Sequence, residues 1–162
     1  MFQHVKEQTG LVFAENNQAS TYKTPKPIAQ VDHKWSFRDY LGAFLARTTS
    51  TRNDYTVSPG LYALGKPDKD SEVLVTANYK LTFDKLRKYL EKRNVWILVL
   101  DTKGINVWCA AGKGTFATTE LIKKIQTSGL NLLVKHRRII VPQLGAVGVA
   151  AHEVKSKTGF RV

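Results

Sequence analysis

The sequence predicts an α/β fold, in which a mostly parallel sheet carries helices on both of its faces. From residue 73 onward, short β-branched apolar runs alternate with segments whose apolar residues recur every three or four positions. One of the short runs, residues 95–100, is apolar throughout, which is typical of a central parallel strand. The 162 residues, 43% hydrophobic and 23% charged, suffice for one globular domain and exclude a disordered, collagen-like or coiled-coil chain.

The first part of the chain is predicted to hold a flexible arm and one helix. Residues 1–30 are polar and contain Pro25 and Pro27, so we expect an extended N-terminal arm followed by a single domain over residues 31–162. Large apolar residues recur at three- and four-residue spacing over residues 35–47 and predict a helix. Turns are then predicted around residues 59–60 and 66–67 because of their proline and glycine content.

The second part of the chain is predicted to alternate strands with helices. Thr82 is expected to cap the first of these helices, and Gly129 to follow the second. We expect strands over residues 73–76, 95–100 and 139–141, a further strand starting at residue 160, and helices over residues 82–92, 118–126 and 145–157.

These elements together predict a Rossmann-like arrangement with a ligand site along one edge of the sheet. In such sheets ligands bind outside the carboxyl ends of the strands. Three loops leave those ends, at residues 77–80, 101–104 and 142–146. We therefore expect the three loops to lie along one rim, with the single cysteine of the chain, Cys109, shortly after the second loop.

Charge and motifs narrow the classes of function. The formal net charge is +12, and most of the excess falls after residue 60, which favours an anionic partner. Nevertheless, no helix-turn-helix, zinc-finger or RNA-binding signature is present, so nucleic-acid binding is only a weak alternative. The glycines at 112 and 114 do not fit the spacing of a P-loop. They also do not form a dinucleotide-binding fingerprint, because the acidic residue that this fingerprint requires about 20 positions later is missing. One cysteine excludes an internal disulfide.

The segment around Cys109 is the strongest candidate for a functional site. Asn106 is predicted to cap a short helix that begins at Val107 and ends near Gly112, so that the cysteine lies on a cap helix at the rim. Two alanines follow the thiol and leave a low, flat surface beside it. A buried, inert cysteine is the alternative interpretation.

The cysteine segment resembles a known family. The run NVWCAAGK over residues 106–113 is similar to the cap-helix motif of HgcA, the corrinoid protein of microbial mercury methylation. Residues 58–65, 75–80, 142–145 and 148–152 resemble the same family, so the resemblance covers about residues 35–162. The corrinoid iron–sulfur protein of the acetyl-CoA pathway is a relative that shares the architecture and lacks the cysteine at the cap. Residues 1–30 resemble no family that we can name.

The resemblance implies a cofactor and a set of contacts. The cofactor would be cobalamin, bound base-off with the Cys109 thiolate as the lower axial ligand of cobalt, which makes Cys109 the expected catalytic and metal-binding residue. The residues expected to contact the cofactor lie on the three rim loops and the cap helix: Thr76, Asn78, Asp101, Thr102, Asn106, Val107, Trp108, Ala110, Ala111, Gly112, Lys113, Gln143, Leu144, Gly145, Ala146, Gly148 and Val149.

The resemblance also implies a reaction, partners and a location. The cobalt would carry a methyl group and transfer it to Hg(II) to give methylmercury. A ferredoxin-like iron–sulfur protein would reduce the cobalt, and a folate-type compound would donate the methyl group. The family carries a C-terminal membrane region, so this chain, which stops at Val162, would be the cytoplasmic domain of a longer protein anchored in the inner membrane.

Two other functions stay open at this point. One is a corrinoid methyl carrier of the acetyl-CoA pathway, of the corrinoid iron–sulfur protein type, without mercury chemistry. The other is a nucleotide- or nucleic-acid-binding α/β domain that happens to contain a cysteine. Binding of cobalamin would separate the first two functions from the third.

Overall fold

A four-stranded sheet forms the centre of the computed structural model, which describes residues 28–48 and 55–162. In the order β1-β2-β4-β3, the sheet contains β1 (Ala29–Val31), β2 (Gly60–Leu64), β4 (Val95–Leu100) and β3 (Val73–Ala77). β1 pairs with β2 and β3 with β4 in parallel, whereas β2 and β4 are antiparallel. The predicted α/β class and mostly parallel sheet are thus confirmed.

Helices cover both faces of the sheet, as predicted. Their bounds are α1 (Phe37–Thr48), α2 (Lys80–Tyr89), α3 (Val107–Gly112), α4 (Thr118–Thr127), α5 (Leu130–Leu133), α6 (Gln143–Ala146) and α7 (Ala151–Thr158). Alternate residues of β4 belong to two different core clusters. Trp96, Leu98 and Leu100 pack in one cluster with apolar residues of α3, α4 and α7, while Val95, Ile97 and Val99 pack in the other with residues of α2. This explains why the strand is apolar at every position.

The predicted helix over residues 145–157 is wrong, because the chain forms two shorter helices, α6 and α7, with a break between them. The Gly148 carbonyl accepts a hydrogen bond from the Thr118 backbone N–H, and the Ala150 N–H donates to the Thr118 hydroxyl, so these groups are not free for a helix. A Cβ atom at Gly148 would lie 2.1 Å from the Phe116 carbonyl oxygen. The close approach of the two segments therefore interrupts the helix.

Other predicted boundaries also differ from the structure. Helix α2 begins at Lys80, with Tyr79 at its N-cap position, so Thr82 lies inside the helix and does not cap it. The segment predicted as a strand at residues 139–141 makes only a parallel bridge between Ile140 and Leu74, and the segment at residue 160 makes only a bridge from Arg161 to Arg138. Pro142 has no N–H to extend the first of these ladders.

Strands β1 and β2 were not predicted, since both were assigned to the arm or to turns. Residues 29 and 30 of the predicted arm form part of β1, and residues 1–27 lie outside the described residues. Within the part of the chain that the structure describes, there is no helix with the length and hydropathy that crossing a bilayer requires.

Helix α1 forms as predicted, but its large apolar residues face solvent. Phe37, Tyr40 and Phe44 are exposed, and the small residues Ala43 and Ala46 are the buried ones. Ion pairs connect α1 to α2. Asp39 accepts hydrogen bonds from Lys80 Nζ at 2.7 Å and from an Arg87 nitrogen at 2.8 Å, and both of these cations also bind Asp84.

Candidate functional site

The three predicted rim loops come together at the carboxyl ends of β3 and β4. Asn78, the first residue after β3, links the first two loops: its Oδ1 accepts hydrogen bonds from the Thr102 N–H at 3.0 Å, the Thr102 hydroxyl at 2.8 Å and the Gly104 N–H at 2.9 Å. The third loop forms α6, which packs against α3. The predicted rim is therefore present in the structure.

Two of the predicted contact residues, Asn78 and Thr102, hold the rim loops in place. Thr76, Asn78 and Thr102 are all buried. The Thr102 hydroxyl lies 2.8 Å from the Asn78 Oδ1 and 2.7 Å from the Ile105 carbonyl oxygen, so these two acceptors share its single hydrogen. An amide oxygen that already accepts three hydrogen bonds has no lone pair directed at a ligand. In this conformation Asn78 and Thr102 position the loop that leads to the cysteine, and their contact with a cofactor stays a prediction.

Asp101 is held at the start of the second loop by its neighbours. Its carboxylate accepts from the Lys103 ammonium at 2.8 Å and from the Lys103 N–H at 3.1 Å, and its own N–H donates to Glu120. The hydrogen bond from the Lys103 side chain is the main reason that the pKa of Asp101 lies below its usual value. Asp101 is therefore an anionic anchor of the loop, and the charge of Lys103 is largely compensated.

Helix α3 carries the cysteine, as predicted, and Asn106 is its N-cap. The Asn106 Oδ1 accepts a hydrogen bond from the Cys109 N–H at 2.9 Å, which satisfies one of the free donors of the first turn. Cys109 is exposed to solvent as a free thiol. Val107 and Ala110, on the same helix, are buried and attach it to the core. Helix α3 is thus anchored to the core and exposes the Cys109 thiol to solvent. This contradicts the alternative interpretation of a buried cysteine.

An exposed apolar surface lies on the two helices of the rim. Trp108 on α3 is 68% exposed, while Leu144 on α6 and Val147 just after it are 62% and 84% exposed. The two helices can pack closely because Gly145 has no side chain: a Cβ atom there would lie 2.8 Å from a Val107 methyl and 2.7 Å from the Phe116 ring. We call the surface of Trp108, Leu144 and Val147, with Cys109 beside them, the cap surface.

The other predicted contact residues border the cap surface or support it. Gln143, Ala146, Gly112 and Lys113 are exposed, and Ala111 and Val149 are partly buried. A Cβ atom at Gly112 would meet no other atom within 4 Å, so the surface is open there. Gly148 belongs to the supporting part, since its carbonyl accepts from the Thr118 N–H.

A second feature, which sequence reasoning missed, lies on the other side of Asn106. It is an open cleft of about 530 Å³ lined by Ala46, Arg47, Tyr79, Leu81, Thr82, Lys85 and Asn106. These residues come from the end of α1, the start of α2 and the cap of α3. No sequence pattern joins the end of α1 to the start of α2, so only the packing of α1 against α2 shows that Arg47 and Lys85 share a cleft.

Comparison with known proteins assigns the chain to a group of related subunits. The profile of a family described as CO dehydrogenase/acetyl-CoA synthase delta subunit matches residues 43–162. The gamma subunit of the acetyl-CoA decarbonylase/synthase complex from Methanocaldococcus jannaschii is 38% identical over 114 residues, which cover 69% of this chain and 23% of the relative. The corresponding subunit from Methanopyrus kandleri is 34% identical over 116 residues, covering 70% of this chain and 25% of the relative.

A third relative has the same description and similar coverage. The gamma subunit from Archaeoglobus fulgidus is 30% identical over 116 residues, or 70% of this chain and 24% of the relative. The chain therefore spans about a quarter of the length of the curated relatives it matches.

These findings correct the resemblance inferred from the sequence. The matching family and the relatives are acetyl-CoA synthase and decarbonylase/synthase subunits, so the assignment to the HgcA family is wrong. The predicted mercury methylation, with Hg(II) as substrate, has no support from them. The predicted ferredoxin-like partner, folate-type donor and membrane anchor rested on the same resemblance and lose their basis with it.

Proposed function

The chain belongs to the family of the CO dehydrogenase/acetyl-CoA synthase delta subunit, and on that basis we propose that it is a corrinoid-binding domain that carries a methyl group. The methyl group would serve an acetyl-CoA decarbonylase/synthase complex, the kind of assembly named for its relatives. This is the alternative that the sequence left beside mercury methylation. The observation that supports it most strongly is the exposed apolar area of Trp108, Leu144 and Val147 at the carboxyl edge of the sheet. The exposed thiol of Cys109 beside Trp108 is a difference from the acetyl-CoA pathway protein described above, which lacks a cysteine at the cap.

The residues of the cap surface suit a corrinoid in shape and chemistry. A corrin ring is broad, flat and apolar over most of its faces, and Trp108, Leu144 and Val147 expose apolar area that such a ring would cover. Of the two alanines after the cysteine, Ala110 points into the core, while the partly buried Ala111 and the open position at Gly112 leave room for a close approach. The site therefore fits the group that the family implies.

Cys109 suits the axial position of a metal that is already held by a macrocycle. Among the described residues, no group of three or more histidine, cysteine or acidic side chains could hold a metal ion by itself. A corrin ring supplies the equatorial nitrogens, so a single soft sulfur ligand suffices below it. The N-cap of Asn106 and the buried Ala110 hold that sulfur in position before any ligand arrives.

The roles of the chain's residues follow from this placement. Bound cobalamin supplies a cobalt centre that can accept and release a methyl group. With cobalamin bound, Cys109 would lose its thiol proton to the solvent to which it is exposed and would hold the cobalt through its sulfur in place of the cofactor's own base. Trp108, Leu144 and Val147 would exclude water from the lower face of the ring, and Asn78 would keep the loop that leads to α3 in one conformation.

The direct test of the proposal is a spectrophotometric titration of the chain with cobalamin. We expect saturable binding of one cobalamin per chain. Exchanging Leu144 and Val147 for aspartate should weaken binding by at least tenfold, because both side chains are exposed and each change places a charge under the ring. Leu132→Asp, at another exposed apolar residue, is the matched control and should leave affinity unchanged. Absence of cobalamin binding by the folded wild-type chain would refute the proposal.

The carrier role needs a second measurement. A labelled methyl group supplied to the cobalamin-loaded chain should be recovered in acetyl-CoA after addition of a decarbonylase/synthase complex, carbon monoxide and coenzyme A. The unloaded chain is the control. Binding of cobalamin without any recovery of label would restrict the domain to cofactor binding.

A further inference from the structure

The cleft beside Asn106 carries positive charge that no ion pair in the described part of the chain neutralises. Arg47 lies in the last turn of α1 and Lys85 on the exposed side of α2, and neither takes part in an ion pair among the described residues. The neighbouring cations Lys80 and Arg87 differ, since both bind Asp39 and Asp84. Two cations are thus available to a ligand in the cleft.

The remaining lining adds to the preference for an anion. Leu81 and Thr82 belong to the first turn of α2, which contains no acidic residue. The N-terminal end of a helix carries a partial positive charge, and the Thr82 hydroxyl is a further donor. Among the described residues that line the cleft, none is acidic. Two cationic side chains and the Thr82 hydroxyl therefore line one open volume of about 530 Å³.

Asn106 connects the cleft to the cap surface. Its side chain caps α3 by accepting from the Cys109 N–H, and the same residue lines the cleft. If Cys109 is the protein's ligand to cobalt, the nucleotide tail of cobalamin is displaced from the metal and is free to bind a second site on the protein. The tail contains a phosphodiester with one negative charge, and the cleft borders the cap through their shared residue Asn106.

We propose that Arg47 and Lys85 bind the phosphodiester of the displaced nucleotide tail of the corrinoid, and that the cleft holds this tail. The inference rests on the proposed function, since it assigns a subsite for the same cofactor. Arg47 donates through a planar guanidinium that matches two phosphate oxygens, and Lys85 contributes a single ammonium. The chemical class of the ligand is a phosphate diester attached to a ribonucleoside.

The test compares cobalamin with cobinamide, which has the corrin ring and lacks the nucleotide tail. We expect the double variant Arg47→Ala with Lys85→Ala to weaken binding of cobalamin by about tenfold or more, because two charge-assisted contacts are lost. Binding of cobinamide should change by less than about twofold. The double variant Lys123→Ala with Lys157→Ala removes the same charge from exposed residues that do not line the cleft, and should change neither affinity.

The outcomes separate the subsite from the proposed function. If the wild-type chain binds neither compound, the proposed function itself is wrong. Suppose that the wild-type chain binds both cobalamin and cobinamide. If the Arg47 and Lys85 double variant then binds both compounds as tightly as the wild type, or loses the same affinity for each, the cleft does not hold the tail. A third measurement uses adenosine monophosphate as a free nucleotide. If the chain binds it more tightly than cobalamin, and the same variant abolishes this binding, the cleft is a site for a separate nucleotide and the proposal is overturned.

Discussion

Asn106 determines, at the scale of single residues, how the candidate ligand Cys109 is presented. The hydrogen bond from the Cys109 N–H to the Asn106 Oδ1 is the only side-chain cap found on α3 in the described structure. A helix of six residues has little stability of its own, so the cap and the buried residues Val107 and Ala110 keep it formed.

Replacing Asn106 with alanine should therefore loosen the cap. We expect Asn106→Ala to lower the free energy of unfolding by about 1 kcal/mol, the usual cost of losing an N-cap. Cobalamin affinity should fall together with it. Asn106→Ser keeps a capping oxygen and serves as the control in urea unfolding and in the cobalamin titration. An alanine variant as stable as the serine variant would show that the cap does not support the site.

Residue-level prediction from the sequence succeeded where a local pattern was enough. The cap of α3 by Asn106 and the position of Cys109 at the rim follow from residues that are neighbours in sequence. The cleft could not be predicted, because Arg47 and Lys85 are 38 positions apart and meet only through packing of α1 against α2.

Two glycines of the cap region illustrate how packing between elements shapes the site. Gly148 lies where the chain after α6 passes the Phe116 backbone, and a Cβ atom there would lie 2.1 Å from a carbonyl oxygen. Gly112, at the end of α3, has open space around its Cβ position. The same substitution should therefore have different consequences at the two sites.

We expect Gly148→Ala to lower the free energy of unfolding by about 1–3 kcal/mol or more, since a backbone atom would have to move. Gly112→Ala should change it by less than about 0.5 kcal/mol, because nothing is displaced. Urea unfolding followed by circular dichroism measures both. Equal effects of the two substitutions would contradict the packing of α6 and the loop after it against α3 and Phe116.

We expect the contact between α1 and α2 to depend on pH through Asp39, which binds cations of α2. Burial alone raises the pKa of Asp39, but its hydrogen bonds with Lys80 and Ser36 outweigh burial and hold the pKa well below the usual value. An acid with a depressed pKa in the folded state contributes stability above its unfolded pKa of about 3.9 and loses that contribution as pH falls below it.

Stability should accordingly fall as the solution is acidified below about pH 4.5, and less so in the variant Asp39→Asn. At neutral pH the variant should be less stable than the wild type by about 1–2 kcal/mol, because the charge that binds Lys80 and Arg87 is removed. Asp70→Asn, at an exposed residue, is the control and should resemble the wild type. Identical acid profiles for wild type and Asp39→Asn would contradict the role of this ion pair.

Helices and strands could be predicted from the sequence where the apolar pattern of a segment is compatible with a single type of structure. The uninterrupted apolar run of β4 predicted its burial between two layers, and alternate residues do pack on both faces. The apolar spacing in residues 35–47 predicted a helix but could not show which side of it is buried, and the structure buries Ala43 and Ala46 with the large residues outside. Strand β2 was missed because the turns predicted at residues 59–60 and 66–67 drew attention away from the short apolar run between them.

At the scale of the whole molecule, the sequence predicted the α/β architecture correctly and indicated a corrinoid as the cofactor. The family that it indicated was wrong. A short run around one cysteine, NVWCAAGK, determined that assignment, although proteins with the same fold can carry different reactions on similar cap segments. The match over residues 43–162 depends on the pattern of the whole domain and identifies the acetyl-CoA synthase family. The chain covers about a quarter of its relatives, so the carrier activity is a proposal that depends on the cap surface.

The central claim is that Cys109 is the axial ligand of a bound corrinoid, and electron paramagnetic resonance of the reduced, cobalt(II) form of the cobalamin-loaded chain tests it most directly. We expect a spectrum without nitrogen hyperfine splitting from the cofactor's own base, and a clear change of that spectrum in Cys109→Ala. Nitrogen splitting in the wild type, or identical spectra for wild type and Cys109→Ala, would contradict the assignment of Cys109 as the ligand.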